Sequence, residues 1–171
     1  SSRLSCVHST IGCVKQIEPF GPFALASNVI PVAVPSPAGE LSGLLTGPSA
    51  PGLVDGTPAI STASAPDAAG ENRALLVPGY TGSKEDYAPV LPFLGDAGWD
   101  VLAYSQRGQG GSAAPAGLGA YGMSDFVGDL IVVAEAWAGT SGRVHLVGHS
   151  FGGIVARAAV IARPDLFASV T

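Results

Sequence analysis

Short apolar runs alternate with longer amphipathic stretches over roughly the last hundred residues of the chain. Ala74-Leu-Leu-Val77, Asp100 to Tyr104 and Val144-His-Leu-Val147 are each four or five residues long, and Pro78-Gly79 closes the first. Runs of that length bounded by turn residues predict strands buried on both faces. A helix is predicted from Ser83 to Gly98, with Ser83 and Asp86 as a capping pair, Gly98 as the stop, and Pro89 and Pro92 crowding its early turns. Ser124 to Trp137 is the cleanest helical pattern, because Phe126, Leu130, Val133 and Trp137 recur at i, i+4, i+7 and i+11 behind a Ser124 N-cap. Phe151 to Ala162 reads as a third helix stopped by Pro164, and Leu166 to Thr171 opens a further strand. Nearer the start, residues 29–46 form two short strands around a Pro/Gly turn at 35–39. Strands joined by helical crossovers predict an α/β fold, a predominantly parallel sheet with helices on both faces. There is no internal repeat.

Composition divides the chain without changing that picture. Residues 1–28 yield no confident element and are treated as a leader; residues 29–171 form part of one domain. Within it, residues 47–70 are a low-complexity insertion, since 19 of those 24 are Gly, Pro, Ala, Ser or Thr. Such a segment buries too little apolar area to offset its ordering entropy. Hydrophobic residues make up 47% of the 171 and charged residues only 12%, with a net charge of −5. That balance suits a folded chain and gives no electrostatic footprint for nucleic acid or an anionic membrane. The uncharged stretch from Pro19 to Gly39 carries five prolines and cannot be a membrane helix. No basic, apolar and small-residue succession marks a targeting segment, so a cytoplasmic location is the default. Cys6 and Cys13 are expected to be ordinary thiols, and His8, His145 and His149 match no metal-binding spacing, so no metal and no cofactor are expected. The chain starts at Ser1 and its sole methionine is Met123, which suggests a piece of a longer product.

The chemistry concentrates in Leu146-Val-Gly-His-Ser-Phe-Gly-Gly153, a G-x-S-x-G pattern between a predicted strand and a predicted helix. A serine becomes a nucleophile there when the turn is so tight that its Oγ stands above the sheet on a strained backbone. Positions two before and two after the serine then nearly touch, which Gly148 and Gly152 permit. The same turn puts the Phe151 N–H at a helix N-terminus, aimed where an oxyanion develops. Gly153 and Ala156 let that helix lie close to the sheet. The bland alternative is a glycine-rich strand-to-helix turn with an incidental serine; the flanking elements argue against it.

These residues resemble the α/β-hydrolase superfamily, in its serine branch with a G-H-S-F-G-G elbow. The likeness covers residues 73–171, with weaker support from 29–46. Leu76-Val-Pro-Gly-Tyr-Thr-Gly82 is similar to the family's oxyanion-loop block, and Gln106-Arg-Gly-Gln-Gly-Gly-Ser112 to its R-G-x-G-x-S block. The family often has His-Gly where this chain has Pro78-Gly79, and an Asp near Ser105. The resemblance implies that Tyr80 N–H is the second oxyanion donor, each donor being worth about 10²–10³ in kcat. Arg107-Gly108-Gln109-Gly110 is expected to be a structural loop beside the elbow rather than a substrate contact. None of the three histidines suits the general base: His149 should point away from the serine, His145 should be core, and His8 lies in the leader. The family order places the acid and the histidine after the elbow, so the fold is expected to be truncated after the elbow helix. The 171 residues alone are then expected to be poorly folded and inactive, loss of the base costing on the order of 10⁶ in kcat.

A carboxylesterase-like acyl hydrolase acting on a small-molecule substrate is the leading expectation. Serine rather than aspartate at the elbow argues against the epoxide-hydrolase and haloalkane-dehalogenase branches. The alternative is a catalytically silent binding protein on the same fold. A nucleotide-binding oxidoreductase, suggested by Gly108-Gln-Gly-Gly-Ser-Ala113, fails on context because Pro115, Gly117 and Gly119 follow where a helix should open. Oligomeric state is not legible.

Overall fold

The Pro/Gly turn predicted at 35–39 folds the chain into an antiparallel hairpin, β1 (Val29–Ser36) and β2 (Gly39–Thr46), in register from Val29 opposite Thr46 to Ser36 opposite Gly39. The computed structural model describes residues 25–48, 72–139 and 142–171. Cys6, Cys13, His8 and most of the leader and the 47–70 insertion lie outside the described residues.

Four further strands complete the sheet: β3 (Arg73–Val77), β4 (Asp100–Tyr104), β5 (Val144–Gly148) and β6 (Phe167–Val170), in spatial order β1-β2-β4-β3-β5-β6. β3 runs parallel to β4 and β5, and β5 parallel to β6, while the hairpin joins β4 through an antiparallel pairing of β2. Every residue of β3 and β4 is buried, because helices cover the sheet on both sides. α2 (Met123–Ala138) and α3 (Phe151–Ala162) pack Phe126, Leu130, Val133, Val155 and Ala159 onto Leu75, Val77, Leu102 and Leu146. On the other face Leu91 of α1 (Leu91–Asp96) meets Leu44, Ala74, Leu76 and Val101. The alternation along β3 thus feeds two separate cores, which is the doubly covered sheet expected.

Two local expectations need correction. The single helix over Ser83–Gly98 is instead a 3-10 turn, Lys84–Tyr87, followed by the short α1. Pro89 has no N–H for the next helical bond and breaks the run, whereas Pro92 is tolerated in the first turn of α1. The Ser83–Asp86 pairing survives, with Ser83 N–H donating to Asp86 Oδ2 at 3.2 Å. The N-cap of α2 lies two residues earlier than expected, at Gly122 rather than Ser124. Asp125 supplies the cap by accepting the Gly122 N–H at 3.0 Å.

Candidate active site

β5 leads directly into α3 through His149 and Ser150. Ser150 has φ 52° and ψ −118°, and it is the one non-glycine residue with positive φ among the described residues. Holding such a conformation costs on the order of 1–3 kcal/mol, so its surroundings must enforce it. They do so through backbone bonds. Gly148 N–H donates to Thr171 O at 2.9 Å, His149 N–H to Val77 O at 3.0 Å, and Gly152 N–H to His149 O at 2.9 Å. The bend therefore clamps onto both neighbouring strands while Ser150 stays exposed.

Neither Gly148 nor Gly152 has room for a side chain. A Cβ at Gly148 would fall 2.6 Å from Gly153 Cα, and one at Gly152 would fall 2.3 Å from Val77 O. Both collisions are with backbone, so nothing can swing aside. Ala156, on the inner face of α3, is wholly buried.

The segment after β3 lies against the bend: a Cβ at Gly79 would be 3.4 Å from Ser150 Cβ and 3.2 Å from His149 Nδ1. The Tyr80 and Phe151 rings meet edge to face with centroids 6.0 Å apart, and Phe151 meets Phe126 in the same way at 5.1 Å. Neither the Tyr80 N–H nor the Phe151 N–H has a hydrogen-bond acceptor among the described residues. Two unused donors beside an exposed hydroxyl suit an anionic oxygen. Beneath them, Tyr87 Oη donates to Val77 O at 2.9 Å, and burial, assisted by nearby Asp86, pushes its phenol up to about 12.

The loop after β4 is structural at Arg107, as expected. The guanidinium donates through Nε to Asp129 Oδ2 at 2.7 Å, through Nη1 to Ala120 O at 2.7 Å and through Nη2 to Asp125 O at 3.0 Å. The hydrogen bond to Asp129 holds the guanidinium's pKa above its ordinary value. The two glutamines escaped sequence reasoning. Gln106 Nε2 donates to Pro78 O at 2.9 Å, and Gln109 Nε2 donates to Gly79 O at 3.3 Å and also to Tyr80 O. The two sit on one turn, Gln109 N–H donating to Gln106 O at 3.0 Å. Residues 108–113 continue in turns and bends and open no helix.

Of the histidines, His145 is half-buried, with Nδ1 2.8 Å from Ser169 Oγ and its ring against Trp99. His149 is exposed beside Gly79. Among the described residues no group of His, Cys, Asp and Glu could hold a metal, and no helix is long and apolar enough to cross a membrane.

A family profile described as alpha/beta hydrolase fold matches residues 75–171. A protein named as a carbamate hydrolase, RutD of Variovorax paradoxus, is 38% identical over 96 residues, which are 56% of this chain and 35% of that protein. Epoxide hydrolase A of Mycobacterium tuberculosis is 33% identical over 96 residues, 56% of this chain and 29% of its own length. Among solved structures, an epoxide hydrolase from an endophytic Streptomyces is 28% identical with a TM-score of 0.66, covering 85% of this chain and 37% of that one. The chain thus spans about a third of the length of the relatives it matches.

Proposed function

The chain belongs to the alpha/beta hydrolase fold family, and from that premise we propose that it supplies the nucleophile and oxyanion hole of a serine acyl hydrolase. One observation carries the reading: an exposed serine held at φ 52° on the strand-to-helix bend. Ser150 Oγ attacks the carbonyl carbon of an ester while its proton passes to a histidine base. The carbonyl oxygen takes up the displaced electron pair and is met by the Phe151 and Tyr80 N–H groups. Collapse expels the alcohol, which takes the proton, and water repeats the cycle to free the acid and Ser150. Because His145 sits against Ser169, His149 precedes the nucleophile on the same bend, and the triad order of this fold puts the acid and the histidine after the elbow, we assign both to residues outside this chain. On that assignment the 171 residues by themselves turn over no ester. We also assign residues 29–171 to one domain, with 1–28 as a leader and 47–70 as an insertion.

Carbamates form a second reading within the same chemistry, favoured by the name of the Variovorax relative. Epoxide opening fits a serine badly. An alkoxide attacking an epoxide carbon leaves an ether, which water cannot hydrolyse, whereas acyl transfer leaves a labile ester.

The test is to treat the full-length protein with a fluorophosphonate and to follow p-nitrophenyl butyrate, an aryl carbamate and styrene oxide. The expected result is an adduct on Ser150, turnover of the butyrate or the carbamate, and loss of both adduct and turnover in Ser150→Ala. A folded protein that takes no adduct would instead be a silent binding protein, and epoxide turnover surviving Ser150→Ala would sink the acyl mechanism.

A further inference from the structure

The Tyr80 N–H and the Gly79 C=O are opposite ends of one trans peptide group, so whatever fixes the carbonyl also fixes where the amide hydrogen points. Gln109 Nε2 lies 3.3 Å from Gly79 O and also donates to Tyr80 O. One peptide earlier, Gln106 Nε2 holds Pro78 O at 2.9 Å. Two carboxamides of one loop therefore draw three successive carbonyls toward β4, and the N–H groups of those peptides face away from it. The orientation of the Gln109 carboxamide follows from its neighbours. Carbonyl oxygens only accept, so the NH₂ end must face them. Its Oε1 is left buried without a partner among the described residues. An unmet buried acceptor is unfavourable, so the bonds made by the NH₂ end are what keep the carboxamide in place. The Gly79 carbonyl has a second anchor within its own turn, Gly82 N–H at 3.2 Å. Losing Gln109 would loosen the peptide without releasing it.

We infer that Gln109 is a positioning residue for the oxyanion. By holding the Gly79 and Tyr80 carbonyls it aims the Tyr80 N–H at the oxygen that gains charge when Ser150 attacks. Donation into the carbonyl end also polarises the peptide, which strengthens the N–H as a donor. The inference rests on the Ser150 reading, and its effect belongs to the charged transition state more than to the neutral substrate.

The experiment uses the full-length protein with two donorless variants, Gln109→Met and Gln109→Leu, and one that restores a donor, Gln109→Lys. For each, the rate of fluorophosphonate addition to Ser150, kcat and KM for p-nitrophenyl butyrate, and the melting temperature are measured. Both donorless variants are expected to lose about tenfold in kcat and in phosphonylation rate, with KM changed by less than about twofold. Gln109→Lys is expected to recover most of that loss. Having two donorless variants keeps the comparison intact if one fails to fold. A reactive parent whose folded donorless variants label at the parental rate, or whose Lys variant is as impaired as they are, overturns this inference alone. A parent that takes no adduct overturns the Ser150 reading, and this inference falls with it.

Discussion

Replacing Gly152 with alanine is the sharpest probe of the bend. The added Cβ would stand 2.3 Å from Val77 O and 2.5 Å from Pro78 O, against the 3.4 Å at which ordinary contact begins, a shortfall of 1.1 Å and 0.9 Å. Both oxygens belong to main chain. Val77 O already accepts from His149 N–H and Tyr87 Oη, and Pro78 O from Gln106 Nε2, so neither oxygen can yield alone. Overpacking of a tight core site costs about 1–3 kcal/mol, and a clash confined to backbone belongs at the upper end. About 3 kcal/mol lowers Tm by roughly 6–12 °C for a domain of 150–250 residues. If the structure relaxes instead, the bend moves off the Gly79-Tyr80 segment by about 1 Å, a displacement worth about 10² in rate. The assay pairs thermal denaturation of the full-length protein with the rate of Ser150 phosphonylation. Gly128→Ala is the control, because nothing lies within 4 Å of the Cβ it adds within α2. That substitution should raise stability by about 0.5–1 kcal/mol. A Gly152→Ala protein that melts with its parent and labels at the parental rate would refute the close approach on which the bend depends.

Two further outcomes are expected. Arg107→Ala removes the counter-charge of Asp129, whose side chain is only 2% exposed and would keep only the Ala38 N–H; leaving that buried carboxylate without its ion-pair partner should cost about 3–5 kcal/mol. In denaturant titrations the double variant Arg107→Met, Asp129→Leu should win back part of the loss, and a single variant as stable as its parent would discredit the pair. Tyr87 contributes a pH dependence. Its folded pKa is raised to about 12 from an ordinary 10, so its contribution is complete below pH 10 and disappears as pH rises toward 12. Tyr87→Phe should flatten that part of the stability profile, and a profile identical to the parent's would rule the tyrosine out.

The sheet was legible because its strands are short and apolar, several closed by glycine or proline; the strand Asp100–Tyr104 and the helix Phe151–Ala162 fall on the residues expected. The bend was legible too, since a serine flanked at both second neighbours by glycine leaves few other uses for that pattern. What stayed hidden depends on contacts between segments far apart in sequence. Pro89 could be seen to disturb a helix, but not that the chain would resume in a separate one at Leu91. Ser124 is a good cap by type, yet Asp125 reaching back to Gly122 took the role. Gln106 and Gln109 carry no signal of their own, because a glutamine means nothing until 28 to 30 residues of intervening chain bring the carbonyls within its reach.

The Val77 carbonyl oxygen is the common fixed point of three segments, touching the bend through His149, the Lys84–Tyr87 turn through Tyr87, and forbidding bulk at Gly152. Parts referenced to one atom share its displacements, so vibration or crowding by a bound molecule shifts hydroxyl and loop in concert and leaves their spacing intact. The amide hydrogen of His149 should accordingly be among the slowest to exchange with deuterium anywhere in the loops of this protein.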